Sequence, residues 1–147
     1  MAHDIASDNG FTRRMAEFVA GLTYDRIPEA VRARIKLLML DALGCAVYGA
    51  DLDWSRILLK TLQATDTSPV CQVWGTDARL SAPHAALVNG ALVQSFELDD
   101  VHRQGVLHVG GVTMPALLAV AEMRPGLGGR ALLTAAVAGY EIGPRVG

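Results

Sequence analysis

The stretch PEAVRARIKLLMLDALGCAVYG, Pro28 to Gly49, decides the fold class. Its apolar residues Val31, Ile35, Leu38, Met39, Ala42, Leu43, Ala46 and Val47 recur at intervals of three and four, so they share one face of a helix. Arg32, Arg34 and Lys36 fall towards solvent on that spacing. Pro28 suits the first turn, where its missing N–H is not needed, and Gly49 marks the end. A helix this long with an apolar stripe needs other elements to cover it.

Working outward, the flanking sequence supplies more helices. Upstream, Asp8 reads as the cap of a helix whose Phe11, Met15, Phe18, Val19 and Leu22 form one buried stripe, with Gly21 helping to end it. Downstream, Asp53 is the expected cap of a shorter helix through Ile57, Leu58 and Leu62, and the Thr65 to Pro69 cluster is a loop. Val70, Cys71, Val73 and Trp74 are β-prone, and a turn over Gly75 to Ala78 before Arg79 and Leu80 predicts a small hairpin.

A further helix opens near Pro83 and carries Ala85, Leu87, Val88, Leu92, Val93 and Phe96. Gly90 lies in its interior, at a cost of about 1 kcal/mol against alanine that close approach of another backbone offsets. Two last helices, Thr113 to Met123 and about Gly129 to Ile142, flank the Arg124-Pro125-Gly126 turn. The expectation is an all-α, bundle-like fold with one short β-hairpin near residues 70–80, preceded by a flexible N-terminal segment over residues 1–10.

Composition narrows the function. With 51% hydrophobic residues the chain is too apolar for disorder, and 13 basic against 15 acidic residues, unclustered, give no footprint for nucleic acid or an anionic membrane. Leu37 to Ala50 and Met114 to Met123 are interrupted by Asp41 and Glu122 and fall short of the roughly 20 residues a bilayer span needs. Met1 to Gly10 lacks a basic start and an apolar run, so no signal peptide is read and a cytoplasmic address is expected. Cys45 and Cys71 are expected as two buried free thiols. The last two helices carry so few polar residues that both need cover nearly all round, which implies another polypeptide or a second copy.

Chemistry concentrates in Glu97 to Gly111, where periodicity breaks and Glu97, Asp99, Asp100, His102 and His108 gather with Gly105, Gly110 and Gly111. Crowded carboxylates repel, so desolvation raises one of them into the range of proton exchange, and histidine exchanges protons near neutrality without help. The glycines let backbone amides approach an anion, near the positive end of the helix expected at Thr113. On spacing alone the segment reads equally as a helix end on the surface, with His102 and His108 solvated or satisfied in the core. No tight metal-ligand spacing is present, His84 reads as a surface residue, and neither Ser81 nor Ser95 has a base placed near it by sequence.

Several pieces then resemble, in order and spacing, the signatures of one family. They are Phe18-Val19-Ala20-Gly21-Leu22, Leu38-Met39-Leu40-Asp41-Ala42-Leu43-Gly44-Cys45-Ala46, Gly49-Ala50, and Ala85-Ala86-Leu87-Val88-Asn89-Gly90-Ala91-Leu92. Glu97-Leu98-Asp99-Asp100, Pro115-Ala116-Leu117-Leu118-Ala119-Val120-Ala121-Glu122 and Ala138-Gly139-Tyr140-Glu141-Ile142 complete the set. The chain resembles the MmgE/PrpD family, which includes 2-methylcitrate dehydratases, cis-aconitate decarboxylases and iminodisuccinate epimerases.

The resemblance implies an all-helical N-terminal domain, completed in full-length relatives by later helices and a smaller α/β domain, usually in a homodimer. Residues 11–147 correspond to the N-terminal part of that helical domain. It also implies cofactor-free, metal-free chemistry on small polycarboxylates: a proton is removed beside a carboxylate, and water, carbon dioxide or an inverted centre results.

Carried over by position, Glu97 stands where the family has the first aspartate of Asp-Phe-Asp-Asp-Thr-His, Asp99 and Asp100 match the pair, Val101 replaces threonine and His102 matches the histidine. His108 resembles the histidine of the family's His-Pro segment, with Val109 in place of proline. The implied catalytic residues are Glu97, Asp99 and His108, with His108 moving the proton and the two carboxylates orienting it. Asp100, Val101, His102 and Arg103 are the implied substrate-binding positions. The family's later histidine and lysine blocks fall after Gly147, so a homo-oligomer or a second chain is expected to bring the missing cations. The competing expectation is a non-catalytic helical module that binds a partner chain.

Overall fold

A computed structural model describes residues 10–146 of the chain. Asp8 and most of the expected flexible segment 1–10 lie outside the described residues. Among those described there are six α-helices and one two-stranded antiparallel hairpin. The helices are α1 (Phe11–Gly21), α2 (Glu29–Gly49), α3 (Asp53–Gln63), α4 (Ala82–Gln94), α5 (Val109–Glu122) and α6 (Gly129–Val146). The hairpin pairs β1 (Cys71–Gln72) with β2 (Arg79–Leu80), Cys71 opposite Leu80. No helix among the described residues is long and apolar enough to cross a membrane.

The middle of the molecule is a cluster in which α4 packs on both α2 and α5, α5 packs on α6, and α2 closes against α5 and α6. From α2 the stripe predicted by spacing buries Ile35, Ala42 and Ala46, joined by Cys45, with Leu38, Met39 and Leu43 against the same core. Val31 and Val47, expected on that face, are exposed. Val31 lies in the first turn of α2, on an open groove, and Val47 sits at the edge of the apolar arc.

Small residues set the spacing. A Cβ on Gly49 would run into the Leu92 carbonyl and the Ser95 hydroxyl, and one on Gly90 would stand 2.9 Å from the Gly111 carbonyl. Gly90 therefore offsets its propensity cost by letting α4 and α5 touch backbone to backbone, as its mid-helix position suggested. That contact also explains where α5 begins. It starts at Val109, not Thr113, because Gly110 and Gly111 serve here as helix residues at a close crossing and not as breakers.

The hairpin is stapled to α4 by one amide. Asn89, 2% exposed, accepts the Trp74 N–H at 2.9 Å and donates to the Gln72 carbonyl at 3.0 Å. Glu122 at the end of α5 takes the Gln72 N–H at 2.9 Å. A hairpin this short does not stand alone, and these side chains provide what its own ladder cannot. Both thiols are buried and free, as expected.

Four expectations fail locally. The α1 stripe is not buried: Phe11, Phe18 and Val19 are exposed, and Phe11, Met15 and Phe18 line an open groove of about 240 Å³ with Ile142 of α6. On α3, Ile57 points outward and Leu59 joins Leu58 and Leu62 against the core, while Leu52, not Asp53, occupies the cap position. Arg32 is half-buried, its guanidinium donating to the Tyr24 carbonyl and lying over the Tyr24 ring. Apart from these, Val112 and Val120 of α5 are exposed.

Candidate active site

The segment between α4 and α5 carries the candidate site. Its hinge is Glu97, whose φ of 59° is in the left-handed region that side chains with a Cβ seldom adopt. From there the chain turns back so that Asp99 faces inward, and His108, the residue just before α5, comes to meet it. The His108 Nδ1–H donates to Asp99 Oδ1 at 3.1 Å. On the other side of the ring, Nε2 stands 3.8 Å from Glu97 Oε2, beyond hydrogen-bond distance, and the Glu97 side chain is largely in solvent.

Asp99 is the buried member. Its side chain is fully covered, and Oδ2 has no hydrogen-bond partner in the structure. Burial pushes its carboxyl above the ordinary range, the neighbouring Asp100 charge adds to this, and the charge and hydrogen bond of His108 oppose it. An acceptor held on Nδ1 fixes the ring's tautomer and leaves Nε2 as the exchanging nitrogen. His108 lines an open cleft of about 400 Å³ together with Gly90, Ala91, Gln94 and Gly111.

Asp100 leaves the chain in the opposite sense. Its Oδ1 accepts the N–H of Gly110 at 2.9 Å, satisfying one of the free donors of the first turn of α5 and placing a negative charge at its positive end. The Gly110 amide, expected to be available to an anion, is thus already used. Asp100 also lines a second cleft, about 270 Å³, with Arg34 and Asp41 of α2. Arg34 is exposed, as its spacing implies, and Asp41, to which spacing gives no role, is exposed at the same edge.

The other sequence candidates are not drawn into the cluster. Val101, His102 and Arg103 are exposed on a tight loop closed by a bridge between His102 and Leu107. His102 Nδ1 accepts the Gly105 N–H at 3.0 Å, so one of its ring nitrogens is tied to its own turn. Gly105 packs against the Pro144 backbone of α6, where a Cβ would stand 2.7 Å from the Pro144 carbonyl oxygen. At the tip, Val106 has φ 44°, an outlier for a β-branched residue, which its neighbours hold in place. No hydrogen bond or ion pair among the described residues joins Val101, His102 or Arg103 to His108.

The structure also shows polar residues that periodicity did not mark. The Tyr140 hydroxyl of α6 is buried beside Asp100; burial first, and then that carboxylate, push its ionisation far up, so it stays protonated. Cys45 of α2 is raised by burial and by Asp41, Asp99 and Asp100, which leaves it a thiol and not a nucleophile. Among the described residues no group of three or more histidine, cysteine and carboxylate side chains is placed to hold a metal ion.

Comparison with known proteins matches the chain to a family: residues 13–147 fit the MmgE/PrpD N-terminal domain. The chain belongs to the MmgE/PrpD family. It is similar to cis-aconitate decarboxylase of Aspergillus terreus, with 33% identity over 98% of this chain and 30% of the relative. It is also similar to the cis-aconitate decarboxylase-like protein oryM of Aspergillus oryzae, 34% identical over 98% of the chain and 31% of the relative. Human cis-aconitate decarboxylase is 30% identical over 92% of the chain and 29% of its own length. The chain thus spans about 30% of the length of these MmgE/PrpD relatives, whose names mark the family as one of lyase type.

Proposed function

We propose that this chain supplies the proton-transfer part of a lyase or isomerase site for small polycarboxylates, with decarboxylation of a cis-aconitate-like tricarboxylate the leading reaction. The observation that carries it is the 3.1 Å pair of Asp99 and His108, with His108 on the wall of an open cleft. When a carbon–carboxylate bond breaks, carbon dioxide leaves and its bonding electrons remain on the substrate carbon skeleton. One proton must then be delivered to carbon. His108 Nε2–H is placed to give it, and Asp99, held against Nδ1, stabilises the ring in both of its states. In a dehydration or epimerisation the same nitrogen first accepts a proton from the carbon beside a carboxylate.

Glu97 in this reading sits at the mouth as a second acceptor, facing a substrate hydroxyl or a protonated group. Asp100 contributes in this reading from the neighbouring cleft that it lines with Arg34 and Asp41, and Val101, His102 and Arg103 from the exposed loop. The cluster is acidic, with Glu97, Asp99 and Asp100 together, so it does not by itself hold a polycarboxylate. The reading therefore includes cations from further protein: a second copy, a chain carrying the rest of the family fold, or both. Residues 11–147 then form the N-terminal part of a larger helical domain, acting without a cofactor.

The test is turnover by the chain together with the protein that completes the fold, on a panel of small di- and tricarboxylates in heavy water. The expected result is deuterium at a carbon beside a carboxylate, lost by about 10²–10⁴-fold in His108→Gln with folding intact. No conversion or exchange of any of the panel overturns the reading. It would favour a helical interaction module, for which the exposed Leu98, Val101 and Val106 around the cluster speak.

A further inference from the structure

Tyr140 belongs to α6, yet its hydroxyl reaches the first turn of α5. That oxygen is shut off from solvent and has no hydrogen-bond partner in the structure. A buried hydroxyl without a partner destabilises, and a phenylalanine at the same place would avoid that cost. The space around Gly110 shows where the oxygen points: a Cβ there would collide with Asp100 Oδ1 and stand 2.9 Å from Tyr140 Oη. Hydroxyl and carboxylate thus converge on one point beside a glycine whose missing side chain leaves them room. Asp100 Oδ1 already accepts the Gly110 N–H, and Gly110 follows His108 by two residues on the same turn.

We propose that Tyr140 is a positioning residue for His108, acting through Asp100: a small shift of the phenol brings its O–H onto Oδ1 as a second donor and locks the carboxylate on the Gly110 amide. The first turn of α5 is then fixed from outside the loop, and the imidazole is held on Asp99. The two adjacent aspartates divide the work. Asp99 takes the ring, and Asp100 takes the helix turn that carries it. The groups facing the phenol are Asp100, Asp41 and Asp99, all of which keep its proton on oxygen.

The importance of this arrangement for turnover rests on the reading of His108 as the proton carrier; the arrangement itself is tested without turnover. In the full chain, Tyr140→Phe removes one oxygen and keeps the ring. The expected result is Gly110 amide exchange faster by about tenfold and a moved pair of His108 ring nitrogen resonances, with Gly90 and Ala136 amides unchanged. A merely structural role would lower the melting temperature and raise exchange across the core while leaving the His108 nitrogens in place, and that result overturns the proposal. If Tyr140→Phe does not fold, the parent chain decides: a slowly exchanging Tyr140 hydroxyl proton with a through-space contact to the Gly110 amide supports it, and a freely exchanging one sinks it. Absence of turnover in the completed parent protein counts against the proposed function and leaves these readouts untouched.

Discussion

Asp66 Oδ2 lies 2.7 Å from Nδ1 of His84, eighteen residues away along the chain. The same oxygen accepts the Ser81 hydroxyl at 2.6 Å and the Ser81 N–H at 2.8 Å, and Oδ1 takes the Ser68 N–H at 2.9 Å. One carboxylate therefore ties the loop after α3 to the start of α4. His84, expected on the surface from its place at a helix start, is half-buried in this cluster, and the Ser81 hydroxyl donates to a carboxylate that sequence spacing did not place beside it.

The Asp66 carboxyl is held well below its ordinary range, first by the Ser81 hydroxyl and then by the Ser68 and Ser81 amides and His84, against an opposing burial effect. Its folded-state pKa is below the unfolded one, so its stabilisation is full above the ordinary carboxylate range and is lost as pH falls below about 4. Asp66→Asn should melt several degrees below the parent at pH 7. Thermal melts down the pH scale should bring the two together in acid.

Asp99 works in the other direction. Burial raises its carboxyl, so its favourable contribution is complete below the ordinary carboxylate range and is lost as pH rises through the higher folded value. The melting temperature of the parent relative to Asp99→Asn should therefore decline between about pH 4 and pH 7, by about 2–4 °C for each kcal/mol involved. A flat difference across that range would mean that Asp99 is not desolvated.

Two glycines on α2, five residues apart, should respond with opposite signs. A Cβ at Gly49 meets backbone of α4, whereas one at Gly44 meets nothing within 4 Å. Gly49→Ala should lose about 2 kcal/mol by overpacking, and Gly44→Ala should gain about 0.5–1 kcal/mol from helix propensity. Denaturant midpoints of the two variants measure both.

Burial pushes both thiols up, that of Cys45 further by its three aspartate neighbours and that of Cys71 further by Glu122. Labelling by a thiol reagent at pH 8 should be at least about 100-fold slower in the native chain than in denaturant, since access requires opening. Equal rates would show that the α2–α4 core is not closed.

Much of this was legible in the chain. Helices α2, α4 and α6 and the hairpin follow from spacing, Pro83 and the turn residues, because each is dominated by its own local pattern. The start of α5 was not, since Gly110 and Gly111 look like breakers until the α4 backbone is known to lie against them. Asp99 and His108 could be named from motif resemblance, but which aspartate takes the imidazole depends on the Glu97 turn, and sequence spacing carries no sign for that. The exposure of the α1 stripe was equally hidden, because periodicity says which residues share a face and nothing about what that face meets. Arg34, Asp41 and Tyr140 come to the site edge only through helix packing.

The left-handed Val106 has a consequence for how the chain tolerates change. A β-branched residue adopts that conformation only because the bridge at its flanks and the Gly105 seat on Pro144 leave no alternative. The shape of the rim is thus imposed by its two feet and owes little to the identity of its crest. Substitutions at 106 should be absorbed, with glycine or asparagine relaxing the backbone, whereas any side chain at 105 unseats the whole rim and the histidine behind it.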